Sequence, residues 1–169
     1  MGLPLPESRS RILILSRTPG RDLEAFLNKN YGPGNPIYED LCKYCKIGLE
    51  EGWCANIEMD GPKYRRSKIK LPSAETRFFS LTTVYMQSQD EYSGQYHKHP
   101  YGEINCVVQI DKTAELKGMQ GWQGAGWTSP GAGTHHYPQV SNLEDGMGAL
   151  LIDSGPEWSP GCVFLPARW

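Results

Sequence analysis

The chain has 169 residues, of which 38% are hydrophobic, 21% charged and 11% aromatic, and its formal net charge is −2. That profile suits one compact domain with a small appendage, and it leaves no global positive field to recruit nucleic acid or an anionic membrane. The longest apolar runs, Ile12 to Leu15 and Ala149 to Ile152, fall far short of the roughly 20 residues that a membrane-spanning helix needs. The N-terminal run is also too short for the core of a secretory signal, so cytoplasmic residence is expected.

Residues 1 to 20 hold three prolines and no sustained period, which predicts an extended arm. Asp22 can cap a short helix running to about Asn30, and the turn Gly32-Pro33-Gly34-Asn35-Pro36 closes it. From Ile37 to Glu51, Ile37, Leu41, Tyr44, Cys45, Gly48 and Leu49 recur at three- and four-residue intervals with charged residues between them, which predicts a second helix with one apolar stripe. Gly52 ends it, and Trp53 and Cys54 should pack back against it. The five cysteines are odd in number and scattered, so they are read as reduced thiols. Cys42 and Cys45 are spaced like a redox or zinc pair, but their helical setting, with no second such pair and no His nearby, favours a buried helix face.

Residues 63 to 70, KYRRSKIK, form the one local basic cluster and read as a hairpin strand with Lys68 and Lys70 outward. Beyond Thr76 the texture turns to β. Arg77 to Gln87 is rich in aromatic and β-branched residues, Glu103 to Ile110 alternates, and Gly148 to Asp153 is a short apolar strand. Nineteen glycines and thirteen prolines punctuate these segments. The expected fold is mainly β with an α-helical N-terminal part: a small antiparallel β-barrel or jelly roll covered by two or three helices. Residues 1–62 would form the arm and helical segment and residues 63–169 the barrel, packed together as one domain.

The four histidines lie in two tight pairs, His97 with His99 and His135 with His136. Residues two apart in a strand share a face, so His97 and His99 can converge, and Glu103 follows beyond the turn at Pro100-Tyr101-Gly102. Two imidazoles and a carboxylate, with a further imidazole from a second strand, meet the inner-sphere needs of one divalent iron, manganese, nickel or zinc ion. The same groups can do acid–base work without a metal, or simply satisfy one another as buried polar groups. No GxGxxG opens a helix after a strand and no P-loop is present, so no nucleotide cofactor is expected.

The run His97-x-His99-x-x-x-Glu103 resembles the first cupin motif, and Gly131-Ala-Gly133-Thr134-His135-His136 resembles the second. A narrower resemblance runs through His97-x-His99-Pro100-x-Gly102-Glu103-Ile104, Gly126-Trp127 and Gly133-x-x-His136-x-Pro138-x-Val140, preceded by Gly48-Leu49-x-Glu51-Gly52-Trp53. These features are similar to those of small cupins of the 4-hydroxylaminobenzoate lyase family. Alignment with that family selects His136 as the converging residue, whereas strict cupin spacing from Gly124 through Pro130 selects His135; His136 is preferred. The resemblance implies a metal set of His97, His99, Glu103 and His136, the same four residues as catalytic groups, and a homodimer.

The implied reaction converts an aryl hydroxylamine to a catechol with loss of ammonia, with no external electron donor. Such chemistry needs one proton delivered to the departing N-hydroxyl and another removed, and Glu103 is the candidate acid or base. A flat aromatic substrate suggests Tyr85, Tyr101 and Trp127 as pocket walls, with Asn105 and His135 as polar contacts. A ring carboxylate would call for a guanidinium, with Arg77, Arg65 and Arg66 available. Asn105 stands where the family often carries an acid. Three other readings use the same frame: a metal-dependent dioxygenase, a cyclase or rearrangement catalyst of secondary metabolism, and a non-enzymatic metabolite-binding cupin.

Overall fold

The computed structural model describes residues 18–76, 79–87, 92–94, 96–141 and 149–156, with positions 92, 97 and 149–156 described by backbone alone. The expected arm falls almost wholly outside the described residues, as do Arg77 and Cys162. Helix α1 spans Arg21–Tyr31 and helix α2 spans Pro36–Glu50. Each lies within a residue or so of its predicted limits, but Asp22 does not cap α1: it lies inside the first turn, and the capping position is Gly20, which has no side chain to accept a hydrogen bond. Asn35 starts α2: its side-chain oxygen accepts from the Ile37 N–H at 2.9 Å, and Pro36 fills a first-turn position whose N–H would have no helical partner.

The end of α2 is a tight return. Gly52 adopts the left-handed φ of 79°, and the Trp53 and Cys54 N–H groups both reach back to the Gly48 carbonyl at 2.9 Å. Gly48 is glycine because the returning side chains occupy the space of a Cβ, which would stand 2.6 Å from both Cys54 Sγ and the Trp53 ring.

Twelve strands are described: β1 (Ile57–Asp60), β2 (Tyr64–Lys70), β3 (Phe79–Met86), β4 (Tyr92–Ser93), β5 (His97–Lys98), β6 (Ile104–Gln109), β7 (Glu115–Gly118), β8 (Gly121–Gln123), β9 (Gly126–Thr128), β10 (His135–His136), β11 (Gln139–Ser141) and β12 (Ala149–Pro156). They form a six-stranded sheet in the order β1-β2-β3-β12-β6-β9, a four-stranded sheet β4-β11-β7-β8 and a two-stranded ladder β10-β5. All of these strand pairings are antiparallel. The basic segment forms β2, paired between β1 and β3. Among the described residues, then, the β-rich half is two antiparallel sheets and a short ladder, the coarser form of the expected barrel.

The period of two along β6 divides the core. Cys106 and Val108 face the helices and bury against Tyr38, Cys45, Ala55 and Tyr85. Val107 faces the other way and packs with Tyr64 and Met86 of its own sheet and with Leu116 and Val140 of the four-stranded sheet. The layers are therefore helix, sheet, sheet. Tyr38 ties the helix layer to the six-stranded sheet by donating its hydroxyl to the Val107 carbonyl.

Cys45 and Cys106 are buried under α2, and Cys54 at its end, while Cys42 is half-exposed. A hydrogen bond from Cys106 lowers the Cys42 thiol to about 7, and burial pushes Cys45 up to about 12. Alkylation of intact protein should therefore label Cys42 first among the described cysteines, at a rate that rises as pH passes through about 7. Peptide mapping that found Cys45 or Cys54 labelled ahead of it would contradict this packing. Gly48→Ala should cost about 1–3 kcal/mol by overpacking, read from the denaturation midpoint.

Candidate active site

The ladder of β5 and β10 sets the histidine register. His136 pairs with His97 and His135 with Lys98. The ladder continues through the His99 N–H, which donates to the Thr134 carbonyl at 2.8 Å, and the Gly133 N–H, which donates to the His99 carbonyl at 2.7 Å. Gly133 makes the turn with φ at 79°. Because partners in register share a face, His136 falls on the side of position 97, and its ring centroid lies 5.0 Å from that of His99. His135 falls on the opposite side, exposed, 5.4 Å from the Tyr96 ring, which also meets Tyr137 at 5.1 Å.

His99 is 1% exposed and Glu103 9%. Between them the chain bends at Pro100-Tyr101-Gly102, with Gly102 at φ 83° and too close to Pro19 to carry a side chain, and then runs on along the same partner segment, the Glu103 N–H meeting the Pro130 carbonyl and Asn105 pairing with Thr128. The bend sets Glu103 Oε1 3.4 Å from His99 Nε2. On its other nitrogen, His99 Nδ1 meets Thr134 Oγ1 at 2.9 Å. The imidazole is thus held at both ends, and a held ring has a fixed direction.

Glu103 is fixed through its backbone. Its N–H donates to the Pro130 carbonyl at 3.0 Å, and its carbonyl accepts from Ser129 Oγ at 3.0 Å. Ser129 is secured in turn by α1, where buried Glu24 accepts the Ser129 N–H at 2.9 Å. One turn along, the Asn28 side chain bonds both the N–H and the carbonyl of Trp127 at 2.8 Å, and the Trp127 indole N–H donates to the Tyr31 carbonyl at 2.7 Å. Helix α1 is therefore a brace for the segment that carries Glu103.

Of the residues singled out from sequence, the structure brings together His99, Glu103 and His136, with the backbone of His97 opposite His136. Asn105 sits two residues into β6, buried, donating to Thr128 Oγ1 at 3.2 Å. Tyr85 and Trp127 lie with the helix-facing core, Tyr85 beneath the Arg65 guanidinium at 4.4 Å and Trp127 edge-on to Tyr38 at 6.1 Å. Tyr101 is 53% exposed at the turn. Thr134, Ser129 and Glu24 were not legible as site residues. Their only sequence signal is Thr134 standing beside a histidine pair, because a small hydroxyl and a helix carboxylate declare no partner until the chain is folded.

As a donor set, imidazoles and a carboxylate suit a divalent transition metal, and Thr134 holds Nδ1 so that Nε2 is the nitrogen turned toward Glu103. Among the described residues no three His, Cys, Asp or Glu side chains form a group that could hold an ion. The side chain of His97, which would complete the set, lies outside them. Among the described residues no helix is long and apolar enough to cross a membrane.

Imidazoles brought together by one ladder, with a buried glutamate further along the same strand direction, form this site on antiparallel sheets. The chain belongs to the 4-hydroxylaminobenzoate lyase family, whose model (PnbB) matches residues 11–152. It is 54% identical to a 4-hydroxylaminobenzoate lyase of Nocardioides sp. (strain LMS-CY) over 75% of each chain. It is 46% identical to a 4-hydroxylaminobenzoate lyase of Pseudomonas putida over 91% of this chain and 84% of that one. Among solved structures it is similar to a sugar phosphate isomerase of the cupin superfamily from Silicibacter pomeroyi, with a TM-score of 0.35 and 21% identity over 53% of this chain and 58% of that one.

The register yields a direct comparison. His136→Ala should lower turnover at least tenfold more than His135→Ala, since only the former removes a ring from beside His99. Equal losses in steady-state assays would contradict the assignment.

Proposed function

We propose that this chain acts as a lyase on 4-hydroxylaminobenzoate or a close aryl hydroxylamine, releasing ammonia and a catechol. The observation that carries the reading is the buried His99–Glu103 pair, with His136 beside it, in a member of the lyase family. One aryl hydroxylamine and one water give one catechol and one ammonia. Nitrogen takes up the two electrons that the ring gives up, so no outside reductant enters.

The chain's own part is to move protons. The N–O bond breaks only as its oxygen is protonated, and a ring proton must leave for aromaticity to return. Glu103 is the group assigned to both transfers, acid in the first and base in the second. Its carboxyl sits at the edge of the buried space, 9% exposed, where it can meet substrate while His99 supports it from behind. The brace from α1 keeps that carboxyl in place, so the geometry is established before substrate arrives. Asn105, on the strand that Glu103 opens, is assigned to a polar group of the substrate.

The same residues carry a metal proposal. His97, His99, Glu103 and His136 would hold one divalent transition ion, which when bound supplies Lewis-acid polarisation of a substrate oxygen. Metal analysis of the purified protein should then find close to one ion per chain, lost in His99→Ala. Metal-free protein with full activity would leave the proton-transfer role alone standing.

The central test is Glu103→Gln, assayed for ammonia release from 4-hydroxylaminobenzoate. The amide keeps the shape and cannot exchange a proton at neutral pH, so turnover should fall roughly a hundred- to ten-thousand-fold with folding intact. Unchanged turnover would remove Glu103 from the mechanism. Absence of ammonia release by the unaltered protein would reject the substrate.

A further inference from the structure

We propose that Thr134 is a positioning residue that fixes the tautomer of His99, obliging Nδ1 to carry hydrogen and presenting Nε2 to Glu103 as a bare lone pair whenever the ring is neutral.

The argument is a count of hydrogens. A threonine hydroxyl has one hydrogen to donate and lone pairs with which to accept. Thr134 Oγ1 lies 2.6 Å from the Gly131 carbonyl oxygen, and a carbonyl can only accept, so the hydroxyl hydrogen is committed there. The same Oγ1 lies 2.9 Å from His99 Nδ1. With its hydrogen already used, Oγ1 serves Nδ1 only as an acceptor, and Nδ1 must therefore be the donor.

The consequence appears at the other nitrogen. Neutral imidazole has one N–H, so Nε2 is left as an acceptor, 3.4 Å from Glu103 Oε1. Thr134 thus selects the tautomer whose Nε2, the nitrogen that faces Glu103, has its lone pair directed into the site, where it can accept a hydrogen bond or serve the ion proposed above. The backbone reinforces the choice: the Thr134 carbonyl accepts the His99 N–H at 2.8 Å, and the Gly133 N–H donates back to the His99 carbonyl at 2.7 Å, so hydroxyl and ring cannot slide apart.

The tautomer itself follows from the hydrogen-bond geometry, and its catalytic consequence rests on the lyase reading above. The two can fail separately. Protein labelled with 15N histidine, without substrate, should show His99 Nδ1 in the protonated range by long-range 1H–15N correlation, with His99→Gln used to assign the resonance. Thr134→Val, close to isosteric, should shift that signal and lower kcat about 10- to 100-fold with KM within about twofold, whereas Thr134→Ser should restore both the signal and the rate. An unprotonated Nδ1 in the unaltered protein overturns the proposal without any variant being made. So does a Thr134→Val protein whose Nδ1 signal and kcat are both unchanged. A protonated Nδ1 that depends on Thr134, in a protein that releases no ammonia from any aryl hydroxylamine, upholds the tautomer and rejects the lyase reading.

Discussion

Ser129 is bonded from both of its polar ends, and the site depends on that. Its N–H donates to the Glu24 carboxylate of α1 and its hydroxyl donates to the Glu103 carbonyl, while the neighbouring Pro130 carbonyl accepts the Glu103 N–H. A buried carboxylate is costly unless its oxygens are satisfied, and Glu24 meets that need by accepting from the backbone that carries the active-site strand. The carboxyl of Glu103 is thereby set by a chain of short bonds running from the N-terminal helix, so the helices belong to the machinery as much as to the packing.

Strand β6 makes this arrangement economical. Its odd and even positions belong to different layers, with Cys106 and Val108 under α2 and Val107 between the two sheets. Asn105 shares the face of Val107 and bonds Thr128, its partner in register on β9. One strand therefore anchors the helix layer, fills the inter-sheet core and opens on the Glu103 carboxyl. Trp127 works similarly from β9, packing edge-on to Tyr38 and donating to Tyr31, which links α1, α2 and the sheet around one indole.

The proposed reaction asks for protons moved in a confined place, and what the structure offers it is position more than charge. His99 is held at Nδ1 by Thr134 and faced at Nε2 by Glu103, and both neighbours sit on turns that glycine makes possible, Gly133 at φ 79° and Gly102 at φ 83°. The β5–β10 ladder, closed by the Gly133 turn, brings together His99 and Thr134, 35 residues apart in sequence, at a distance of 2.9 Å. In the proposed reaction, an acid held in place before substrate binds would remove part of the entropy that a proton transfer otherwise has to supply.

Local pattern was enough to give α1 and α2 nearly to the residue, since Asn35, Pro36 and Gly52 are start and stop signals written in short-range chemistry. It was enough to place β3 and β6 from their aromatic and β-branched runs, β2 from its basic hairpin pattern, and the first part of β12 from its short apolar run. The histidine pairs at 97 and 99 and at 135 and 136, with Glu103, were visible because histidine is scarce and a spacing of two along a strand has one structural meaning. What the sequence could not decide was which face each aromatic took. Tyr85 and Trp127 satisfy an apolar pocket and an apolar core equally well, and only the register of β3 against β12 and of β9 against β6 sends them to the helix side. The same holds for His135 and His136, adjacent in the chain and opposite in space, which a one-residue shift of the β5–β10 ladder would exchange. The roles of Thr134, Ser129 and Glu24 were out of reach for a related reason. Hydroxyls and carboxylates acquire their partners from segments up to 105 residues away, and such pairings are fixed by the closing of turns and the docking of α1 rather than by any period in the chain.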